Sequence, residues 1–144
     1  MKPRGISLLE LLVTLAIVAV LAAIALPGYG AIMRRALRND ARLALLGIAH
    51  DEELHFQAVD AYTDQLTLAR ELGGLGLAAS SSAGDYQLAI ELRASGQGFL
   101  ATARPAAHGR QATDDSCAVL SIDESGLRAA TNRQGLDTSG TCWR

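Results

Sequence analysis

The residue that most needs a chemical explanation is Glu10. From Leu8 to Leu26 it is the only ionisable side chain in an otherwise apolar run. A carboxylate inside a membrane-spanning helix costs about 3 kcal/mol on insertion scales, so its presence asks for a cationic partner. Three other sets of residues have types suited to chemistry. Glu52 and His55 carry the Glu-x-x-His spacing of carboxylate-bridged metal centres, and His50 with Glu53 could clip a single ion in the same way. His108, Asp114 and Ser116 supply the residue types of a hydrolytic triad. Cys117 and Cys142 are the only cysteines.

Most of these sets lack the context their chemistry needs. A carboxylate-bridged centre requires a second Glu-x-x-His and further glutamates; residues 50–55 offer one such motif and read as a solvated helix end. The triad types sit in a polar, turn-rich segment with no nucleophile elbow. Gly73-Gly74-Leu75-Gly76 is followed by no Gly-Lys-Ser/Thr and is not a phosphate cradle. No catalytic residue, metal site or cofactor is therefore expected, and an enzyme is the weakest reading. The chain carries a net charge of −2, or about −4 without Lys2 and Arg4, which argues against a generally basic nucleic-acid binder. With two Phe, three Tyr and one Trp, the core is small and needs a covalent staple or a long helix to pack on.

The elements that must position Glu10 begin with a short basic leader, Lys2-Pro3-Arg4-Gly5, followed directly by the apolar run. That run is close to the ~20 residues needed to cross a bilayer as a helix. A cleaved secretory signal, with Ala22-Ala23-Ile24-Ala25 as its processing site, and a plain membrane anchor both account for the hydropathy. Neither accounts for Glu10 or for the Gly5-Ile6 junction. The arrangement resembles the class III signal of type IV pilins. Ser7-Leu8-Leu9-Glu10-Leu11 is similar to the family's Thr-Leu-Ile-Glu-Leu core, Ile6 stands where the family prefers Phe, and Pro27 stands at its helix-bending proline. The resemblance implies cleavage between Gly5 and Ile6 by a prepilin peptidase/N-methyltransferase and N-methylation of Ile6. It further implies that Glu10 pairs with the terminal amine of a neighbouring subunit. An α-amino group with a pKa near ~8 is largely cationic at neutral pH, and such a pair in a low-dielectric bundle fixes register because an unpaired buried charge is penalised.

Beyond Pro27-Gly28 the sequence favours helix to about residue 58, with only Gly47 interrupting good helix formers. Met33, Leu37, Ala41, Ala44 and Ile48 share a stripe, while Leu43, Leu46 and Leu54 lie off it, so the helix is apolar on two faces. Arg35, Arg38 and Arg42 form a ridge between. Tyr62 to Ala83, rich in Gly and Ser, reads as a connecting loop. Alternation at Tyr86, Leu88, Ile90 and Leu92 predicts a strand, with further strands over 99–104, 117–122 and 127–131 and turns at 95–98 and 123–126. The expected organisation is a leader over 1–5, an N-terminal helix over 6–58 (transmembrane over 8–26, amphipathic over 27–58), an αβ-loop over 59–84 and a head over 85–144. The fold class is α+β: a long helix on a three- or four-stranded antiparallel sheet, the type IV pilin fold.

Topology signals conflict. Arg34, Arg35, Arg38 and Arg42 follow the apolar run and would pull the C-terminal side into the cytoplasm. Large C-terminal domains translocate despite flanking charge, and a cysteine pair suits an oxidising compartment. The leader is therefore read as cytoplasmic and the head as periplasmic, with Cys117 and Cys142 expected to form one disulfide. The tail resembles the D-region of type IV pilins. The head, through Phe99-Leu100-Ala101-Thr102-Ala103-Arg104-Pro105, Gln111, Asp114, Cys117-Ala118-Val119-Leu120, Gly126 and Cys142-Trp143, resembles PilE-type minor pilins. The implied function is a pilin-like structural subunit held in the bacterial inner membrane, then assembled into a type IV pilus with other pilins by inner-membrane machinery. Two alternatives share the signal: a pseudopilin of type II secretion, and a DNA-binding pilin for uptake, with Arg93, Arg104, Arg110, Arg128 and Arg133 as candidate phosphate contacts.

Overall fold

The computed structural model describes residues 7–144, leaving aside the side chains of residues 25–28 and 31. Gly5 and Ile6 lie outside the described residues. The chain divides into two units, Met1–Arg35 and Ala36–Arg144, and one helix, α1 (Leu8–Val59), contributes to both. Its first backbone bond runs from the Leu11 N–H to the Ser7 carbonyl at 3.1 Å. It ends at Asp60, which adopts the left-handed conformation (φ 57°) while its N–H donates to the Phe56 carbonyl at 2.8 Å; an acid takes the place usually held by glycine. α1 continues through Pro27; the bend expected there lies among the residues whose side chains are outside those described.

Among the described residues no helix is long and apolar enough to cross a membrane. The expected span over 8–26 includes residues 25 and 26, whose side chains lie outside those described.

In the second unit, α1 buries Leu37, Ala41, Leu45, Ile48 and Glu52. This corrects the expected stripe, in which Ala44 stood where Leu45 does. At about 100° per residue, Leu45 lies about 40° from Ala41 and Ala44 about 60° away, so the leucine faces the head and Ala44 is only half-buried. Leu43 and Leu54 remain exposed on the other side. The arginine ridge is also revised: Arg35 is exposed, but Arg38 is 6% exposed and belongs to the packed interior.

The stripe covers a four-stranded antiparallel sheet of order β1-β2-β3-β4, formed by β1 (Tyr86–Arg93), β2 (Gly98–Pro105), β3 (Val119–Asp123) and β4 (Arg128–Thr131). Tyr86, Phe99, Ala101, Ala103, Leu120, Ile122 and Ala130 point inward to meet it, as period-2 alternation dictates. The third strand begins at Val119, two residues later than the sequence suggests, because Asp115–Cys117 form a single 3-10 turn. Three consecutive left-handed residues, Ala94, Ser95 and Gly96, make the β1–β2 turn. The β3–β4 turn is organised by Asp123, whose Oδ1 accepts from the backbone N–H of Ser125 and of Leu127, both at 3.0 Å.

The segment between α1 and β1 is more ordered than its composition suggests. The Leu75 N–H donates to the Gln65 carbonyl at 3.0 Å and the Leu77 N–H to that of Leu66 at 2.9 Å, folding the loop back on itself. Gly74 is the crossing point: a Cβ there would collide with the Leu68 carbonyl. The glycine run serves a close backbone approach.

Cys117 and Cys142 are bonded, with Cα atoms 5.8 Å apart, and both are fully buried. Cys142 closes the short helix α2 (Ser139–Cys142). The tail is held as well by Trp143 Nε1 donating to the Ala129 carbonyl (2.8 Å) and the Thr138 N–H donating to that of Ala130 (2.8 Å). For a closed loop of 25 residues, Cys142→Ser should lower stability by about 3–4 kcal/mol, measured by denaturant unfolding of the full chain in detergent.

Candidate functional site

The N-terminal unit presents a surface rather than a pocket. Leu8, Leu9, Leu11, Leu12, Val13, Leu15, Ile17, Val18, Val20, Leu21 and Ile24 are all at least half exposed. Such a helix is apolar on every side, and water is a poor solvent for it. Glu10 lies in its first turn and is the one acid of that surface. Among the described residues no hydrogen bond or ion pair is assigned to Glu10; its i, i−4 neighbour, Ile6, lies outside them.

In the head, Arg38 and Arg42 sit one helical turn apart and reach the segments on either side of the disulfide, Arg38 at Asp114 and Arg42 at Cys142. The Arg38 guanidinium grips Asp114 with two parallel bonds, Nε to Oδ2 and Nη2 to Oδ1, each 2.7 Å. Asp114 is 4% exposed, and its bonded carboxylate raises the Arg38 pKa further above the ordinary arginine value against the opposing effect of burial. Arg42 Nε donates to the Cys142 carbonyl at 2.7 Å, and its Nη1 is aligned by Asn39 Oδ1 at 2.7 Å. Tyr86, fully buried beside this pair, has its phenol pushed up to about 12, first by burial and then by Asp114. Asp114 is thus a structural counter-ion. His108 and Ser116 stand in exposed positions, and the structure assembles no triad from the three.

The Glu-x-x-His pair also separates. Glu52 is buried and accepts the Thr63 N–H at 3.1 Å, while His55 Nδ1 donates to the Ala61 carbonyl at 2.8 Å. His50 and Glu53 line a shallow cavity of about 330 Å³ with Asp123 and Glu124. Among the described residues no group of His, Cys, Asp and Glu is arranged to hold a metal ion.

The candidate head arginines divide between the two ends of the sheet. Arg93 pairs in register with Gly98 at one end and Arg104 with Gln87 at the other, about 20 Å apart at ~3.4 Å per residue. Arg93 lies near Asp123 and helps to lower that acid's pKa, after the larger effect of the Ser125 hydroxyl. Arg110 and Arg133 join Arg104 at its end. Arg110 is engaged with Asp85, whose carboxyl it holds below the usual range, and Arg133 pairs with Asp115 at 2.9 Å. Both keep about 60% of their side chains exposed. Arg128 lies over the Trp143 ring, 5.6 Å from its centroid. Residue type alone does not separate these roles; the pairing of Arg110 and of Arg133 with an acid distant in sequence does.

Comparison with known proteins gives a consistent picture. Residues 27–121 match the family model described as type IV minor pilin ComP, DNA uptake sequence receptor. Residues 1–26 match the prokaryotic N-terminal methylation motif. The type IV major pilin protein PilA of Myxococcus xanthus is 32% identical over 91 residues, 60% of this chain and 41% of that protein. The chain thus matches about two fifths of its curated relative's length. A solved type IV pilin from Shewanella oneidensis is 24% identical, covers 66% of this chain and 89% of its own, and superposes with a TM-score of 0.48, a likeness too loose to bear on function.

Removing Arg38 alone should strand the buried Asp114 carboxylate. Arg38→Ala is expected to lose about 3–5 kcal/mol, and the double change Arg38→Met with Asp114→Leu to recover most of it; denaturant unfolding of the three proteins measures both.

Proposed function

We propose that this chain, which belongs to the type IV minor pilin family described as ComP, DNA uptake sequence receptor, is a filament subunit inserted through its N-terminal helix. The observation that carries the reading is the helix surface over 8–24: apolar all round, exposed in the single chain, and marked by one acid in its first turn. In this account prepilin peptidase cuts after Gly5 and methylates Ile6, consistent with the methylation motif over residues 1–26. The apolar run over 8–26 holds the subunit in the inner membrane, with the leader cytoplasmic and the head periplasmic. Assembly machinery then transfers it to the filament, where Glu10 meets the terminal amine of a neighbour. Pro27 allows the helix to adjust between lipid and filament. The matches offer no support for the type II secretion alternative.

Glu10→Ala tests the assembly role. The variant should be processed at Gly5 and retained in the membrane, as mass spectrometry and fractionation would show, yet be depleted from sheared filaments. Normal incorporation would remove the pairing from the account.

A second reading, DNA capture, is favoured by the family description and by the end of the sheet that carries Arg104, Arg110 and Arg133. Double-stranded DNA is the polyanion these side chains suit, because neutralising phosphates releases counterions. Arg104 is the exposed member for which no acid partner is found among the described residues. Arg104→Gln should weaken DNA binding by the full chain in detergent and reduce the slope of log affinity on log salt by about 1. Arg93→Gln, at the other end, should leave both unchanged. Equal loss from the two variants, or from neither, would count against a DNA face at this end.

A further inference from the structure

Glu52 stands out as a buried titratable group that neither assembly nor DNA binding uses. It occupies the last position of the apolar stripe of α1, after Leu37, Ala41, Leu45 and Ile48, and is fully buried. Its Oε2 accepts the Thr63 N–H at 3.1 Å, while its Oε1 is buried and finds no hydrogen-bond partner among the described residues. A carboxylate in that state leaves lone pairs and charge unsatisfied. A neutral carboxylic acid needs far less.

What Glu52 holds is the start of the αβ-loop. Thr63 Oγ1 donates to the Gly73 carbonyl at 3.1 Å and accepts the Gln65 N–H at 3.2 Å. From there the backbone bonds at Leu75 and Leu77 close the loop, whose Leu66 and Leu75 enter the core. The same loop lines a cavity of about 460 Å³ against α1 through Gly73, Gly74 and Leu75, with Asp51 and Arg70 paired across its rim at 2.8 Å. The titratable groups facing Glu52 are Glu53 and His55 from the helix and Tyr62 and Asp64 from the loop. Two of them are acids, which disfavour a further negative charge, and His55 is the one group able to offset it.

We propose that Glu52 is a pH-sensitive latch on the αβ-loop: carrying its proton it seats residues 60–77 on α1, and losing the proton loosens them. Burial, reinforced by Glu53 and Asp64 and opposed by Thr63 and His55, raises the Glu52 pKa above its ordinary value. An acid with a raised folded-state pKa binds more protons folded than unfolded. Its contribution is therefore fully present below the unfolded pKa and is lost as pH rises through the folded one. The loop should be tightest in mildly acidic surroundings, and the cavity it lines should open as pH rises.

Hydrogen exchange of the full chain in detergent micelles, corrected for intrinsic rates, reads this directly. Opening of peptides within 60–77 should rise severalfold between pH 5 and pH 8, while the sheet strands stay unchanged. Glu52→Gln keeps the shape, supplies a neutral group and should make the opening equal at both pH values. Glu52→Met, which continues the apolar stripe, serves if the glutamine does not fold. A pH-independent loop in the unaltered chain, or a rise that persists in Glu52→Gln, overturns the proposal. A rise abolished by His55→Gln but not by Glu52→Gln also overturns it, by moving the switch to the histidine.

Discussion

The head depends on one buried ion pair. Arg38 and Asp114 are 76 positions apart in sequence and lie on opposite sides of the interior, one on α1 and one in the connection between β2 and β3. Their two parallel bonds satisfy both charges in a place where neither could be left alone. That geometry sets how far the helix stands from the loop before the disulfide. It leaves Tyr86 enclosed, and it brings Arg42, a turn further along, to the Cys142 carbonyl. A small aromatic-poor core thereby gains a fixed register between helix and sheet that apolar packing of Ala41, Ala101, Ala103 and Ala130 would specify only loosely.

Much of this is legible in the sequence where the physics is periodic or local. Alternation at Tyr86, Leu88, Ile90 and Leu92 specifies a strand, and the Asp123–Gly126 segment specifies the turn that Asp123 builds. The Gly5-Ile6 junction with Glu10 in an apolar run is distinctive enough to suggest the family before any coordinates are considered. Residue type misleads where tertiary contacts override it. Arg38 has the appearance of a solvated ridge residue, and only the distant Asp114 makes it an interior one. Glu52 stands at stripe spacing after Ile48, yet its charge argues for solvent. The Glu-x-x-His pattern is real as spacing but not as geometry, since its two members turn to different backbone partners.

The processing and assembly roles proposed above rest on a different kind of legibility. In the proposed assembly Glu10 would meet a cation of another molecule, so a single chain would display only half of that contact. The exposed apolar ring of α1, with Leu43 and Leu54 further along, is surface that such a neighbour would cover. What a monomer leaves uncovered is informative here because every residue of the N-terminal surface, apart from Glu10 and small or neutral side chains, is apolar.

The margins of the sheet bear on how copies of the head can meet. On one side β4 is shielded by its own tail, through the Thr131–Asp137 bridge, Thr138 and Trp143. On the other, residues 79–81 lie along the start of β1, and the charged Glu91 and Arg93 occupy the part left open. Unpaired strand edges can template pairing with other chains. Here one edge is covered by the tail, and the other is partly covered and charged where it stays open, so strand-to-strand pairing of heads is disfavoured by the fold itself.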